Sequence, residues 1–197
     1  MENILVTGFD NDMPGDGEVL VTKIADLGML RPPSQGPLTS ITYRSPEVYF
    51  NKPWTAATDM WSWGILVYIL HSFTGTKVYT DASTQYLHLL QAHADFDNPG
   101  IFDSLEVEGS LDDKENAVRA AMAHEFNLHS VGYYTSDPVS RELLPPKDDT
   151  RTELDHWVIK LLDYGIPKKD IEAVHVALNP VPDLRPTAMD LLEFDYV

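Results

Sequence analysis

The sequence predicts a mainly α-helical fold that begins with a small β hairpin. Two short runs rich in β-branched residues, Ile4–Thr7 and Val19–Ile24, lie near the N-terminus. Downstream, apolar residues recur at helical spacing in several segments, of which Thr55–His71 is apolar on nearly every face. Of the 197 residues, 43% are hydrophobic, which suffices for one sizeable core. We therefore expect a single folding unit.

The two β runs are separated by residues 8–17, which consist largely of Asp, Asn, Gly and Pro. This composition predicts a hairpin with a long acidic connection. After the second run, the segment Leu30–Leu38 contains Pro32, Pro33 and Pro37, which rule out both a regular helix and a central strand. We expect a loop there.

The helical body is predicted from six segments. In Thr55–His71, either Thr55 or Thr58 can cap the helix, and its apolar surface predicts burial. Five further helical patterns follow, at Thr84–His93, Asp112–Glu125, Glu153–Tyr164, Lys168–Leu178 and Thr187–Phe194. Between the third and fourth patterns, Asp137–Thr152 contains three prolines and mixed charges, so we expect an irregular segment.

Charge and composition exclude several classes of function. The 31 Asp and Glu against 14 Lys and Arg give a formal charge of -17, which opposes binding to nucleic acid or to an anionic membrane surface. The chain has no cysteine, so disulfides and thiolate zinc sites are excluded. The apolar stretch Met60–Leu70 is too short to span a bilayer, and the N-terminus lacks the features of a secretory signal. We expect an intracellular protein, cytoplasmic or nuclear, whose partners are proteins.

Two oxygen-bearing residues flank the predicted hairpin. Asn3 immediately precedes the first β run, and Asp26, in the sequence Asp26-Leu27-Gly28, follows the second. An amide oxygen and a carboxylate at the two ends of one hairpin can converge on a hard cation, which prefers oxygen ligands. The natural interpretation is Mg²⁺ with a bound nucleotide phosphate. A lone Asp-Leu-Gly is common in turns, and Asn before a strand is equally ordinary.

Two further motifs follow in a defined order. Tyr43-Arg44-Ser45-Pro46-Glu47 ends the loop that begins at Asp26, and Asp59-Met60-Trp61-Ser62-Trp63-Gly64 opens the buried helix. Together these segments resemble eukaryotic protein kinases, in which an Asn closes the catalytic loop and D-F-G, A-P-E and D-x-W-S-x-G follow in this order. Asn179-Pro180 and Arg185-Pro186-Thr187-Ala188 are similar to the segment that opens the family's last helix, with a longer spacing before Arg185. The resemblance covers nearly all of residues 1–197 and implies the helical C-terminal lobe of the kinase fold.

The resemblance implies roles for individual residues. Asp26 and Asn3 would hold the two Mg²⁺ ions that bridge the phosphates of ATP. Ser40 falls where the Ser/Thr kinases place a hydroxyl beside the substrate, within an activation segment of about residues 26–47. Four further residues would be structural: Glu47 and Arg185 as a buried ion pair, Asp59 as an acceptor of hydrogen bonds from the catalytic-loop backbone, and Gly28.

The same resemblance favours Ser/Thr specificity, because Glu2-Asn3 is similar to the end of K-P-E-N and Tyr43–Glu47 resembles the cyclin-dependent and SR-protein kinase group. The chain contains no G-x-G-x-x-G, and the ATP-binding Lys and the catalytic Asp have no counterpart in it. We therefore expect an N-terminally truncated kinase that is inactive alone. The alternative is a non-catalytic, pseudokinase-like binding module; an unrelated acidic adaptor would require the motif order to be coincidence.

Overall fold

The structure, a computed structural model, describes residues 4–7, 21–24, 31–74, 108–147, 156–163 and 166–193. Strand β1 (Ile4–Thr7) pairs with strand β2 (Val21–Ile24) in the antiparallel sense, with Ile4 opposite Ile24 and Thr7 opposite Val21. Both strands lie within the predicted β runs. Residues 8–17, the predicted connection, lie outside the described residues.

Helices form most of the remaining described chain. The α-helices are α1 (Pro46–Tyr49), α2 (Ala57–Thr74), α3 (Leu111–Glu125), α4 (Gly132–Thr135), α5 (Pro138–Leu143), α6 (His156–Asp163), α7 (Lys168–Ala177) and α8 (Ala188–Glu193). Short 3-10 turns occupy Ile41–Tyr43, Leu128–Ser130 and Pro182–Leu184. The prediction of a mainly helical chain is confirmed. Helices lie at five of the six predicted patterns, namely those of α2, α3, α6, α7 and α8. The sixth pattern, Thr84–His93, lies outside the described residues.

The core forms around the first half of α2. Trp61 and Ile65 are buried there against Tyr49 and Phe50 from the end of α1 and against Val174 of α7. Other buried members of this cluster come from α3, α4 and the following segments, and include Val118, Met122, Ala123, Leu128, Tyr134, Ile166, Ile171 and Leu178. Burial of this much aromatic and aliphatic surface is the main source of stability. The predicted burial of Thr55–His71 is thus confirmed for Thr58, Met60, Trp61 and Ile65. Thr55, Ala56 and Asp59 are exposed, and the side chains from residue 67 onward are not among those described.

Helix α3 begins with a reciprocal cap. The Ser110 hydroxyl accepts a hydrogen bond from the Asp113 amide, and the Asp113 carboxylate accepts one from the Ser110 amide at 2.8 Å. The Ser110 hydroxyl also donates to the Asp113 carboxylate at 2.7 Å. This bond and the one from the Ser110 amide lower the pKa of Asp113 from its usual value, because they favour the charged carboxylate. The cap satisfies amides that a helix start leaves without partners. It fixes where α3 begins and therefore which face it turns to the core.

The prediction that Asp137–Thr152 is irregular was wrong at its start, where the structure has helix α5. Asp137 precedes Pro138 and accepts a hydrogen bond from the Ser140 amide at 2.9 Å, which is a helix cap with proline at the first position. The buried Ser140 hydroxyl also donates to the Phe50 carbonyl at 2.8 Å. This tertiary hydrogen bond, which local composition does not encode, supports a helix of only six residues.

No helix within the described parts of the chain is both long and apolar enough to cross a membrane.

Candidate functional site

The end of the predicted activation segment is attached to the helical body by a buried ion pair. Glu47, on α1, accepts two hydrogen bonds from Arg185, with Oε1 and Oε2 each 2.7 Å from a guanidinium nitrogen. Both side chains have no exposed surface, and the two residues are 138 positions apart in the chain. A bidentate arginine–carboxylate pair of this kind is among the strongest charge-assisted hydrogen-bonding arrangements in proteins. It joins α1 to the segment that precedes α8.

Arg185 uses its other donors to hold backbone carbonyls. Its Nε donates to the Asn179 carbonyl at 2.7 Å, and Nη1 donates to the Ala57 carbonyl at 2.9 Å. The guanidinium also lies 5.1 Å from the centre of the Trp61 ring. These contacts replace water around the buried cation and so offset part of its desolvation penalty. Arg185 thus ties α1, the start of α2 and the Asn179 turn together.

Two hydroxyls complete the environment of Glu47. The Thr58 hydroxyl donates to Glu47 Oε1 at 3.0 Å, and it accepts a hydrogen bond from the Ser45 hydroxyl at 3.2 Å. Both residues are buried. Thr58 was a candidate helix cap in the sequence, but Thr55 is the residue whose hydroxyl accepts the Ala57 amide, at 3.2 Å. Thr58 instead links the first turn of α2 to the ion pair.

Upstream of the ion pair, the loop Leu38–Tyr43, called here the 38–43 loop, has two of its carbonyls bound by side chains of the helical body. The Tyr49 hydroxyl donates to the Ile41 carbonyl at 2.5 Å, and the Ser62 hydroxyl donates to the Tyr43 carbonyl at 3.0 Å. Within the loop, the Tyr43 amide donates to the Ser40 carbonyl at 3.1 Å. The Ser40 side chain is exposed. The helical body therefore holds the loop backbone on one side, while Ser40 faces solvent.

Arg44 holds the first part of the same loop. Its Nε donates to the Leu38 carbonyl at 3.1 Å, Nη2 reaches the Thr39 carbonyl at 3.4 Å, and Nη1 pairs with Glu115 of α3. Thr39 has φ of 61°, a left-handed conformation that costs a non-glycine residue about 1–3 kcal/mol. Burial lowers the pKa of Arg44, although a guanidinium stays protonated under all ordinary conditions. Arg44 is thus a charged clamp on a strained turn.

The surroundings of Asp59 are described only in part. It lies in the first turn of α2 as an exposed residue, and partial desolvation of its carboxyl raises its pKa. The predicted partners are the backbone groups of the catalytic loop that Asn3 closes, and none of them is among the described residues. Its role as an acceptor of those hydrogen bonds therefore stays a prediction.

The predicted metal ligands also lie outside the described residues, as do Asp26–Gly28. The strands beside them are described: β1 starts at Ile4, directly after Asn3, and β2 ends at Ile24, two residues before Asp26. Ile4 and Ile24 are paired across the ladder. The donor set of one amide and one carboxylate fits the oxygen preference of Mg²⁺. Among the described residues, no group of three or more His, Asp or Glu side chains forms a metal site.

The fold and this site define a helical lobe on which a long loop is fixed at its end by a buried carboxylate–guanidinium pair. A family model described as protein tyrosine and serine/threonine kinase matches residues 1–104, which is just over half of the 197 residues. The chain belongs to this protein kinase family. No solved structure matches the chain.

Sequence reasoning missed three residues of this site. The sequence identifies Arg44 only as part of a motif, Thr58 only as a possible cap, and Glu115 only as a member of the helical pattern Asp112–Glu125. Motif order gives Glu47 and Arg185, since both belong to recurrent segments. Glu115 has no such signal, because its contact depends on how α3 packs against the 38–43 loop and α1.

Proposed function

We propose that residues 1–197 form the C-terminal lobe of a protein Ser/Thr kinase, which takes part in ATP- and Mg²⁺-dependent phosphoryl transfer to Ser or Thr of a protein substrate. The observation that carries the proposal is the buried Glu47–Arg185 pair. It anchors the end of the 26–47 segment to the helical body, so that the exposed Ser40 lies on a loop of fixed backbone. Fixed positioning is what phosphoryl transfer chiefly requires from a protein.

In this proposal Asn3 and Asp26 would hold Mg²⁺; ATP would supply the phosphoryl group, and the metal would neutralise the charge that develops on it. The match of the kinase family to residues 1–104 includes both positions and supports their assignment. Ser40 contributes a hydroxyl beside the substrate hydroxyl. Gly28 would have a structural role, and Asp59 would hold the backbone of the catalytic loop.

The phosphate-binding half of the reaction is not encoded within these 197 residues, which contain no G-x-G-x-x-G. A Gly-rich loop and a Lys paired with the phosphates would have to come from an N-terminal lobe, and the catalytic Asp from the part of the catalytic loop that precedes Asn3. We therefore expect no phosphoryl transfer by the purified 197-residue chain, because ATP would lose one wall of its cleft and its fixed Lys.

The decisive test is the genomic sequence upstream of codon 1, read through any intron. We expect an open frame that encodes H-R-D-x-K-P and a Gly-rich loop. The polypeptide extended by that frame should phosphorylate a Ser/Thr peptide and not a Tyr peptide, and Asp26→Asn should abolish transfer while the matched surface variant Asp163→Asn should not. If no such frame exists, or if the extended polypeptide is inactive, the proposal is wrong.

The second candidate is a non-catalytic binding module built on the same lobe. It is favoured by the absence of the phosphate-binding motifs from these 197 residues, since the Glu47–Arg185 anchor needs none of them. Calorimetric titration of the chain with Mg²⁺ and ATP separates the two in part. Binding that Asp26→Asn abolishes would count against a purely structural role for Asp26.

A further inference from the structure

We propose that Glu115 is a positioning residue for the 38–43 loop, acting through Arg44 on the left-handed backbone at Thr39. The proposal rests on the proposed function only in assigning that loop to the substrate. Its structural content stands on four described groups: the Glu115 carboxylate, the Arg44 guanidinium and the carbonyls of Leu38 and Thr39.

The first step is the constraint on Thr39. A threonine at φ of 61° keeps that conformation only when its surroundings enforce it, because the β-branched side chain crowds the backbone there. Arg44 supplies the constraint by holding two successive carbonyls, those of Leu38 and Thr39, from one planar guanidinium. Ser40 follows directly, so the direction of its exposed side chain depends on this turn.

The second step is the constraint on Arg44 itself. The centre of the Tyr49 ring lies 5.2 Å from the guanidinium carbon, so the ring restricts one face. Glu115 pairs with Nη1, the nitrogen that neither loop carbonyl uses, and neutralises a mostly buried cation. Without it, the guanidinium would retain its charge in a site that water reaches poorly, and we expect it to turn towards solvent and release the carbonyls.

The third step is the rigidity of the platform that carries Glu115. Its helix α3 begins at the Ser110 cap and buries Val118 and Met122, one turn and two turns further on, in the main core. The carboxylate is therefore held by a helix that its own cap and the main core fix in addition to its contact with the loop. This geometry couples the packing of α3 to the conformation of the 38–43 loop.

The test is limited proteolysis of the purified chain with thermolysin, without nucleotide or substrate, followed by mass spectrometry of cleavage before Leu38 and Ile41. Glu115→Gln should raise the cleavage rate about three- to fivefold, the range that a partly exposed ion pair supports. Glu115→Asp should restore part of the protection, and Arg44→Lys should raise cleavage at least as much as Glu115→Gln. The matched variant Glu172→Gln, on the exposed face of α7, should leave the rate unchanged.

A second background makes the mechanism testable. Glycine adopts positive φ without penalty, so Thr39→Gly removes the backbone strain at residue 39 that Arg44 and Glu115 would otherwise have to hold in place. In that background Glu115→Gln should raise cleavage less than about twofold. An equal effect of Glu115→Gln in the two backgrounds would overturn the proposal, as would a raised cleavage rate in Glu172→Gln. A urea midpoint that falls in proportion as the cleavage rate rises would also overturn it, because cleavage would then report global unfolding.

The same variants separate this proposal from the proposed function. In an active, extended polypeptide, Glu115→Gln should raise KM for the peptide substrate more than it lowers kcat. If Glu115→Gln raises the cleavage rate but no preparation has kinase activity, the proposed function is wrong and the positioning role of Glu115 stands. If the extended polypeptide is active but Glu115→Gln changes neither the cleavage rate nor KM, the proposed function stands and the positioning role is wrong.

Discussion

Glu47 carries a full charge at a position from which water is excluded, and its neighbours explain why this is tolerated. Arg185 neutralises it through two hydrogen bonds, and Thr58 donates a third to Oε1. A buried carboxylate that lost these donors would be left with an uncompensated desolvation penalty. The pair is therefore a point at which one substitution has a large effect on the whole lobe.

We expect Glu47→Gln to lower the free energy of unfolding by about 3–5 kcal/mol, because Arg185 would remain buried and charged without a counterion. Urea denaturation followed by tryptophan fluorescence measures this directly, since Trp61 lies against the Arg185 guanidinium. The matched control is Glu142→Gln, at an exposed position on α5, which should change stability by less than about 0.5 kcal/mol. A loss below about 1 kcal/mol for Glu47→Gln would place it among surface pairs and contradict the buried-pair account.

Two ion pairs at neighbouring positions differ in how far the sequence predicts them. Glu47 and Arg185 lie in motifs whose order indicates a shared family, and the structure brings the two side chains into contact. Arg44 and Glu115 also meet, but Glu115 lies in a stretch whose acidic composition favours a solvated surface. Composition reports average exposure, whereas this contact depends on the orientation of α3. Residue-level prediction therefore succeeds where a motif constrains both partners.

At the scale of elements, a close approach within the core joins α2 to α7. A Cβ atom placed on Gly64 would lie 2.8 Å from Leu178 Cδ2 and 3.1 Å from Ala177 Cβ. Such distances are shorter than van der Waals contact, so a side chain at residue 64 would force Leu178 or the spacing between the two helices to shift. The glycine weakens α2 by about 1 kcal/mol relative to alanine but permits its close packing.

We expect Gly64→Ala to lower the free energy of unfolding by about 0.5–2 kcal/mol, the cost of overpacking less the gain in helix propensity. The matched control is Gly132→Ala at the start of α4, where the nearest atom to an added Cβ is 4.0 Å away. That variant should be neutral or stabilising by up to about 1 kcal/mol. Thermal melts of both variants give the comparison, and a stabilised Gly64→Ala would mean that the α2–α7 contact relaxes freely.

Element prediction failed for a physical reason at α5. The prolines of Asp137–Thr152 indicate an irregular chain, yet Pro138 occupies the first helical position, where its missing amide costs nothing. The hydrogen bond from Ser140 to Phe50 spans 90 residues and is not visible in local sequence. Longer helices were predicted well, because periodicity over α3 or α7 reflects burial of one face. Short helices depend on caps and distant contacts.

At the scale of the whole molecule, the charge of -17 is the dominant electrostatic feature. Repulsion among like surface charges opposes the compact state and is screened over about 10 Å at 0.1 M salt. The central Glu47–Arg185 pair lies out of reach of solvent ions, so salt should hardly weaken it. The Arg44–Glu115 pair is partly exposed and should be weakened, but it is a single contact set against a large excess of carboxylates.

We therefore expect the thermal midpoint at pH 7 to rise as sodium chloride is raised from about 20 to about 300 mM, because screening relieves more repulsion than attraction. Differential scanning calorimetry at several salt concentrations measures the trend. Choline chloride is the matched control: general screening predicts the same curve for both salts, whereas binding of a small cation would make sodium the stronger stabiliser. A thermal midpoint that falls with either salt would mean that attraction within exposed ion pairs outweighs the net repulsion. The surface carboxylates would then have to be paired with the few Lys and Arg side chains instead of being separately solvated.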